Sequence, residues 1–592
     1  MNHLKFRQTV AAALAALIVS ILIPTAAAWA QGGTTRTPAT LEELEAAIAQ
    51  AKSEVAARPA DPAVRARLGS LLTANGQHDE AEAVLRGAPA GAAGDAALDL
   101  ALARLYRIEY RFDEGQAALA RAAAATPRAD EVLTLQGYYA LDRMDFDRAA
   151  ASFQSALEAS PHSAAALCGL AEVAYGLNRY AEAEGFIKRC LEADPNFGRA
   201  HLFQSLIHRI RQENDQWKAA GRKAAEVSPL DDDIRANLSN ILMRGEKKLD
   251  EGYAQALLAF RLNPLCYPAH HYIGNGWTSK TYGPETFEGS PETAARIKAL
   301  LGAGSEALIS RSLDEADKDY DEVLKLAPGN IRAHIGKGTA CYHRRRFRES
   351  LAWFRKALTI NPDYGLAHYG VAQSLLRLKD AVNIKLASIG EQFARRDEPE
   401  PAFLRDVFVN YGRLDPELQK IIRISVRPWR SFLRLAKDKG ATFYITPFHF
   451  LQSEAPHMAE IRGERTFDGR LWDDVKGLGG HNALSGEDWE RDVRNLRFNV
   501  VAHEFTHQVH GFFPKALLDE VKALFAKAKA ERKTLDFYAD FNEYEYLATG
   551  VEAYVSEAKL ADQKVAYGHT RQELLDKDPE LYKLIERFDK KD

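Results

Sequence analysis

Residues 135–161 read LQGYYALDRMDFDRAAASFQSALEASP, and their spacing decides the architecture of the first two thirds of the chain. Leu135, Gly137 and Ala140 belong to one helical run, Ala149, Phe153 and Ala156 to a second, and Pro161 closes it. Small residues where two helices cross let the backbones approach, and a bulky residue fills the gap to the next pair. Proline ends the second helix because it cannot extend the hydrogen-bond ladder. The same hairpin recurs as Leu170, Ala171, Ala174, Ala183, Ile187, Cys190 and Pro195, and again as Gly338, Cys341, Phe354, Ala357 and Pro362. Pro127, Pro161, Pro195 and Pro229 stand 34 residues apart, and Pro328 and Pro362 repeat the interval. A lone hairpin leaves one face unburied, so the units must stack.

This period and pattern resemble the tetratricopeptide repeat, over roughly residues 40 to 380. The resemblance implies an α-solenoid that binds extended peptide or protein and carries no chemistry of its own. The repeats around Asn214 and Lys247 keep the proline but lose several packing residues. Residues 265–291 break the phase with Gly, Thr, Ser and Pro, including His270-His271 and Tyr282-Gly283-Pro284, and are expected to be a loop or insertion. Its histidines either line a binding surface or sit in a solvated, structural loop, the simpler reading.

The wider composition agrees with a large folded chain. Its 592 residues exceed one ordinary core, and 46% hydrophobic with 27% charged residues is a soluble balance. A formal charge of -4 excludes the basic footprint of a nucleic-acid binder. Lys5 and Arg7 precede an apolar run from Val10 to Ile23 and then Ala28-Trp29-Ala30, which predicts a signal peptide cleaved before Gln31 and hence a periplasmic or secreted protein. An uncleaved anchor is the alternative, although the run is short for a membrane span. Cys168, Cys190, Cys266 and Cys341 form no C-x-x-C pair. A Cys168–Cys190 disulfide is conceivable in an oxidising compartment, and two buried thiols are the plainer expectation.

The repeat phase is lost after about Leu378, and the charged stretch Arg395 to Pro401 suggests a boundary. Ala441 to Thr446 reads as a strand. Gly477 to Gly480 with His481-Asn482-Ala483-Leu484 suggests a glycine-rich turn and a strand edge for an extended substrate, or an ordinary surface loop. Ser485 with Asp488 is read as the start of a long helix that continues through Val493, Leu496, Val500 and Val501 and stops at Gly511 and Pro514.

Within that helix lies His503-Glu504-Phe505-Thr506-His507. At 3.6 residues per turn His503 and His507 are neighbours on one face and can hold one metal ion. Glu504, one residue round, reaches a water that the metal polarises without itself being a ligand, which makes it the candidate catalytic base. His510, one turn on, is expected to be a structural neighbour. A metzincin would need Gly and His where His510 and Phe513 stand, and a short-spaced gluzincin would need Glu where Ala526 and Lys527 stand.

Downstream, Tyr538, Asn542, Glu543, Glu545 and Ala548 form a Y-x-x-x-N-E-x-E-x-x-A pattern. It resembles the catalytic region of the lethal-factor-like metallopeptidases, over roughly residues 495 to 560. The resemblance implies Glu545 as third zinc ligand and Tyr538 as hydrogen-bond donor to the tetrahedral intermediate. Thr506 and Thr549 depart from its usual small or acidic residues. On chemistry alone, Glu543 and Glu552 remain alternative ligands, and Glu552 is also the candidate to orient a ligating histidine.

The sequence thus predicts a mainly α chain. A signal peptide (1–30) precedes tetratricopeptide-like repeats (31–264), a loop or insertion (265–291), further repeats (292–380) and an α+β zincin domain (381–592). The expected function is an exported gluzincin-type zinc metallopeptidase whose repeats recruit a peptide or protein substrate or partner. The alternative is a repeat scaffold with an inactive zincin-like domain.

Overall fold

A computed structural model describes residues 38–88, 95–211, 213–274, 289–384, 386, 396–466, 469–490, 499–536, 539–556 and 569–590. The signal segment 1–30, Tyr282 to Pro284, Val493 and Leu496, and Tyr538 lie outside these residues. Among those described, no helix is long and apolar enough to cross a membrane. Contacts group the described residues 38–273 with Leu375–Ile384, and Gly274–Ser374 with the described residues from 386 onward.

The first unit is a series of helical pairs. Ala96–Ile108 pairs with Phe112–Ala125, Asp130–Asp142 with Phe146–Ala159, Ala164–Gly176 with Tyr180–Ala193, and Gly198–Ile210 with Asn214–Val227. Asp232–Asn240, prolonged by a π turn at Ile241–Gly245, pairs with Leu249–Leu262. The first three of these pairs turn on a left-handed residue, Tyr110, Met144 and Asn178, as does the preceding pair of Pro62–Ala74 with His78–Arg86, at Gly76; in chain order the φ values are 73°, 58°, 60° and 59°. These positions also stand 34 apart. Only the first is glycine, so composition alone hides the turn.

The tight crossings expected around Gly137 are present. A Cβ at Gly137 or Gly169 would come within 2.6 Å or 2.3 Å of the Phe153 ring. Gly169→Ala is expected to destabilise the chain by about 1–3 kcal/mol through overpacking. Urea denaturation of parent and variant measures it, and an unchanged midpoint would mean the crossing is slack.

The prolines do more than stop helices. His201 Nε2 lies 3.1 Å from the carbonyl of Pro195, His270 3.0 Å from Pro264, His334 2.9 Å from Pro328 and His368 2.7 Å from Pro362. Arg65 and Arg235 make the same tie to Pro59 and Pro229. In each case the side chain six residues on bonds back to the carbonyl of the proline just past the preceding helix's C-cap. His270 and His271 therefore need correction: they stand in the helix Tyr267–Tyr272 with buried side chains, not in a loop. All four cysteines are free, buried thiols.

The second unit opens with two more pairs, α1 (Pro291–Ile309) with α2 (Leu313–Leu326) and α3 (Ile331–His343) with α4 (Phe347–Ile360). Beyond them come α5 (Pro416–Val426), β1 (Thr442–Thr446), β2 (Gly477–Leu478) and β3 (Asn482–Gly486). The unit closes with α6 (Val500–His510), α7 (Lys515–Ala530), α8 (Glu543–Val555), α9 (Arg571–Lys577) and α10 (Pro579–Asp589). β3 is the central strand, parallel to β1 and antiparallel to β2. The Gly477–Leu478 stretch is thus a two-residue edge strand, while Asn482–Gly486 has neighbours on both sides. Phe443, Ala483, Phe505, Val509, Tyr546, Leu547, Val551 and Ile585 share the core between sheet and helices.

The long helix expected from Ser485 is corrected as well. Ser485 is in β3, Glu487–Glu490 is one short turn, and α6 starts at Val500. Asp488, the carboxylate read as part of the cap, is engaged elsewhere, as is its neighbour Glu487. Glu487 accepts from Arg311 at 2.6 Å and from the Phe448 N–H at 2.8 Å, and Tyr369 donates to Asp488. The cap is Asn499, which accepts from the Ala502 N–H at 3.0 Å.

Candidate metal centre

Two helices bring the candidate ligands together. On α6, one turn sets the His503 and His507 rings 4.8 Å apart. Gln508 holds α6 against the sheet by donating to the carbonyls of Thr442 and His481, at 2.9 Å and 2.8 Å. Thr506, one of the departures from the resembled pattern, has a structural use: it accepts from Trp429 at 2.8 Å and donates to the Ala502 carbonyl.

On α8, Asn542 is the N-cap, and its side-chain oxygen accepts from the backbone N–H groups of Tyr544 and Glu545, both at 2.9 Å. That puts Glu545 in the first turn, where the helix dipole favours a carboxylate. The asparagine of the N-E-x-E pattern is thus accounted for by capping alone.

The three side chains converge. Glu545 Oε2 lies 3.1 Å from His503 Nε2 and 3.4 Å from His507 Nε2. One ligand atom from each of the three residues lies within 4.8 Å of the others, and all three are buried. Glu552 stands on the other side of His503, with Oε2 3.7 Å from Nδ1, where it can orient the ring. Glu543 is not part of the cluster. His510 is also outside it, packed on Tyr544 and Phe513, and burial pulls its pKa to about 3.

Among the described residues, Glu545 Oε1, both carboxyl oxygens of Glu504 and both ring nitrogens of His507 are buried without a hydrogen-bond partner. Leaving so many polar atoms unsatisfied costs several kcal/mol. Two imidazoles and a carboxylate are a zinc donor set, so the residues fit that ion. Burial lifts the Glu504 carboxyl to about 8, against the opposing effect of His503. For His503 burial favours the neutral ring, but Glu545 and Glu552 outweigh it and hold the pKa near 10.

The fold now has its class: the chain carries tetratricopeptide repeats. Two family profiles described as Tetratricopeptide repeat match it, at residues 140–207 and 301–365. Human tetratricopeptide repeat protein 6 is 23% identical over 215 residues, which is 34% of this chain and 40% of that protein. The chain thus spans under half the length of that curated relative. Among solved structures, a thermophilic repeat protein of Thermus thermophilus is 20% identical over 28% of this chain and 92% of its own, with a TM-score of 0.26. The Cut9–Hcn1 hetero-tetramer of the APC/C is 17% identical over 57% and 67%, with a TM-score of 0.32. A tetratricopeptide repeat protein of Parabacteroides merdae is 14% identical over 57% and 98%, with a TM-score of 0.24.

Proposed function

We propose that the chain is a repeat scaffold carrying a zinc peptidase centre, exported by its N-terminal segment, with the metal held by His503, His507 and Glu545. The observation behind this reading is the convergence of both histidine Nε2 atoms on one Glu545 oxygen, with Glu504 one residue round the same helix. When bound, zinc supplies Lewis-acid polarisation of water and of the scissile carbonyl. Glu504 takes the proton of the attacking water and delivers it to the leaving amine. A carboxyl with a pKa raised by burial suits both halves of that transfer. Glu552 keeps the His503 ring oriented. Tyr538 remains the proposed donor to the developing oxyanion.

A metal chelator such as 1,10-phenanthroline is expected to abolish hydrolysis of an unfolded protein such as casein, and zinc to restore it. Cleavage that persists in the chelator, or that zinc fails to restore, would count against the centre.

A second reading is a scaffold whose centre does not hydrolyse peptides. The family matches favour it, since both are to repeats and neither extends past residue 365. Retention of Glu504 favours the enzyme, because a purely structural site has no use for that residue.

A further inference from the structure

The face formed by the first helices of the N-terminal pairs holds a buried network of charges. Arg107 bonds Asp142 through both carboxylate oxygens, at 2.5 Å and 2.9 Å. Arg199 bonds Glu172 at 2.5 Å and Asp233 at 3.3 Å. All five residues are more than nine-tenths buried. Each lies on the first helix of its pair, so each of these consecutive repeats contributes one member.

The network does not balance by itself. Among the described residues, two guanidinium groups face three ion-paired carboxylates, Asp142, Glu172 and Asp233, while the adjacent buried Asp232 accepts from Asn263 at 2.8 Å and is pushed by burial well above the usual carboxylate range. The third positive charge comes from Lys379, whose Nζ lies 3.7 Å from Asp142 Oδ1 with its side chain 7% exposed. A few residues later the Ile384 N–H donates to the Arg143 carbonyl at 3.0 Å, fastening the end of the segment to the same repeat. Burial raises Glu172 and Asp233 and lowers Lys379, as expected of charges compensated only by one another.

We propose that this face is a receptor for a lysine-bearing segment and that the chain fills it in cis with Leu375–Ile384, the last turns of the helix Gly365–Asp380 and the residues that follow it. Charge complementarity selects the occupant. A buried network short of one cation is costly, and a single ammonium at Asp142 neutralises it. The face is therefore closed while the segment is seated, and an outside partner must present the same chemistry to enter. This goes beyond the peptidase proposal and stands whether or not the metal centre is catalytic.

The test uses the full chain and follows exchange of the Ile384 amide by hydrogen–deuterium exchange. Lys379→Met is expected to speed that exchange at least tenfold, and Lys379→Arg to leave it unchanged. Asp142→Asn placed on Lys379→Met removes the surplus negative charge and is expected to bring protection back. A fluorescein-labelled peptide of residues 370–384 is expected to bind the Lys379→Met chain at least tenfold more tightly than the parent. If Lys379→Met does not fold, recovery of folding in the double variant reads the same charge balance. Unchanged exchange in Lys379→Met would overturn the proposal. So would a double variant worse than the single one, or a peptide that does not distinguish parent from variant.

Discussion

Glu504→Gln is expected to lower kcat for peptide hydrolysis about a thousandfold, with the zinc content of the chain unchanged. The carboxamide keeps the volume and burial of the native side chain but cannot accept a proton. General base and acid assistance is typically worth about 100- to 10,000-fold, and in the proposed mechanism one group serves both steps. Glu504 is not among the three clustered ligands, so metal affinity should be indifferent to the change. Steady-state kinetics on a quenched peptide, with zinc measured by mass spectrometry, separates the two readouts. Equal rates in parent and variant would remove Glu504 from the mechanism. Loss of zinc along with activity would make it a structural support.

The second large effect concerns the repeats nearest the centre. If those repeats merely recruited substrate, the segment 381–592 would cleave short peptides normally. It is instead expected not to fold. The Phe448 ring packs among Tyr342, Phe354 and Tyr369, with centroids 4.7 Å, 5.8 Å and 5.8 Å away. Arg311 reaches the buried Glu487 at 2.6 Å, and His343 lies 3.3 Å from it. Cutting at 381 removes every one of these partners. The cut leaves Glu487 without its cations and exposes Phe448, which alone costs about 1.5–3 kcal/mol. Together with Asp488 left without Tyr369, this removes a substantial part of the roughly 5–15 kcal/mol that typically stabilises a domain. Circular dichroism of the purified segment decides the matter. A cooperative melt with normal cleavage of short peptides would restore the recruiting role.

The repeat architecture was legible because its determinants are local and periodic. Proline at one fixed position and small residues at the crossings are visible without any knowledge of contacts. Pro59 and Pro264 also belong to the ladder, at 68 residues before Pro127 and 35 after Pro229. Their role emerged only with the side chains of Arg65 and His270 that bond back to them. The His503–His507 pair was equally legible, since one helical turn fixes its geometry. Convergence of Glu545 on both imidazoles rested on resemblance alone, because 38 residues separate it from His507 and only packing of α6 on α8 brings them together.

Capping misled where it was read from spacing. Ser485 and Asp488 have the right separation, but a carboxylate held by a tyrosine from a distant repeat cannot serve as a cap. Asn499 and Asn542, the caps of the two helices that carry the candidate ligands, show their capping role only through the backbone N–H groups they accept from. Nor could sequence reveal that Lys379 completes a buried charge network assembled from several different repeats.

The most direct test of the centre is zinc stoichiometry in the purified, metal-replete chain, compared with Glu545→Ala. The proposed site predicts about one zinc per chain in the parent and in Glu504→Gln, and a loss of at least about tenfold in affinity in Glu545→Ala, because one of three protein ligands is gone. No zinc in the parent, or full occupancy in Glu545→Ala, would contradict it and leave the repeat scaffold as the reading.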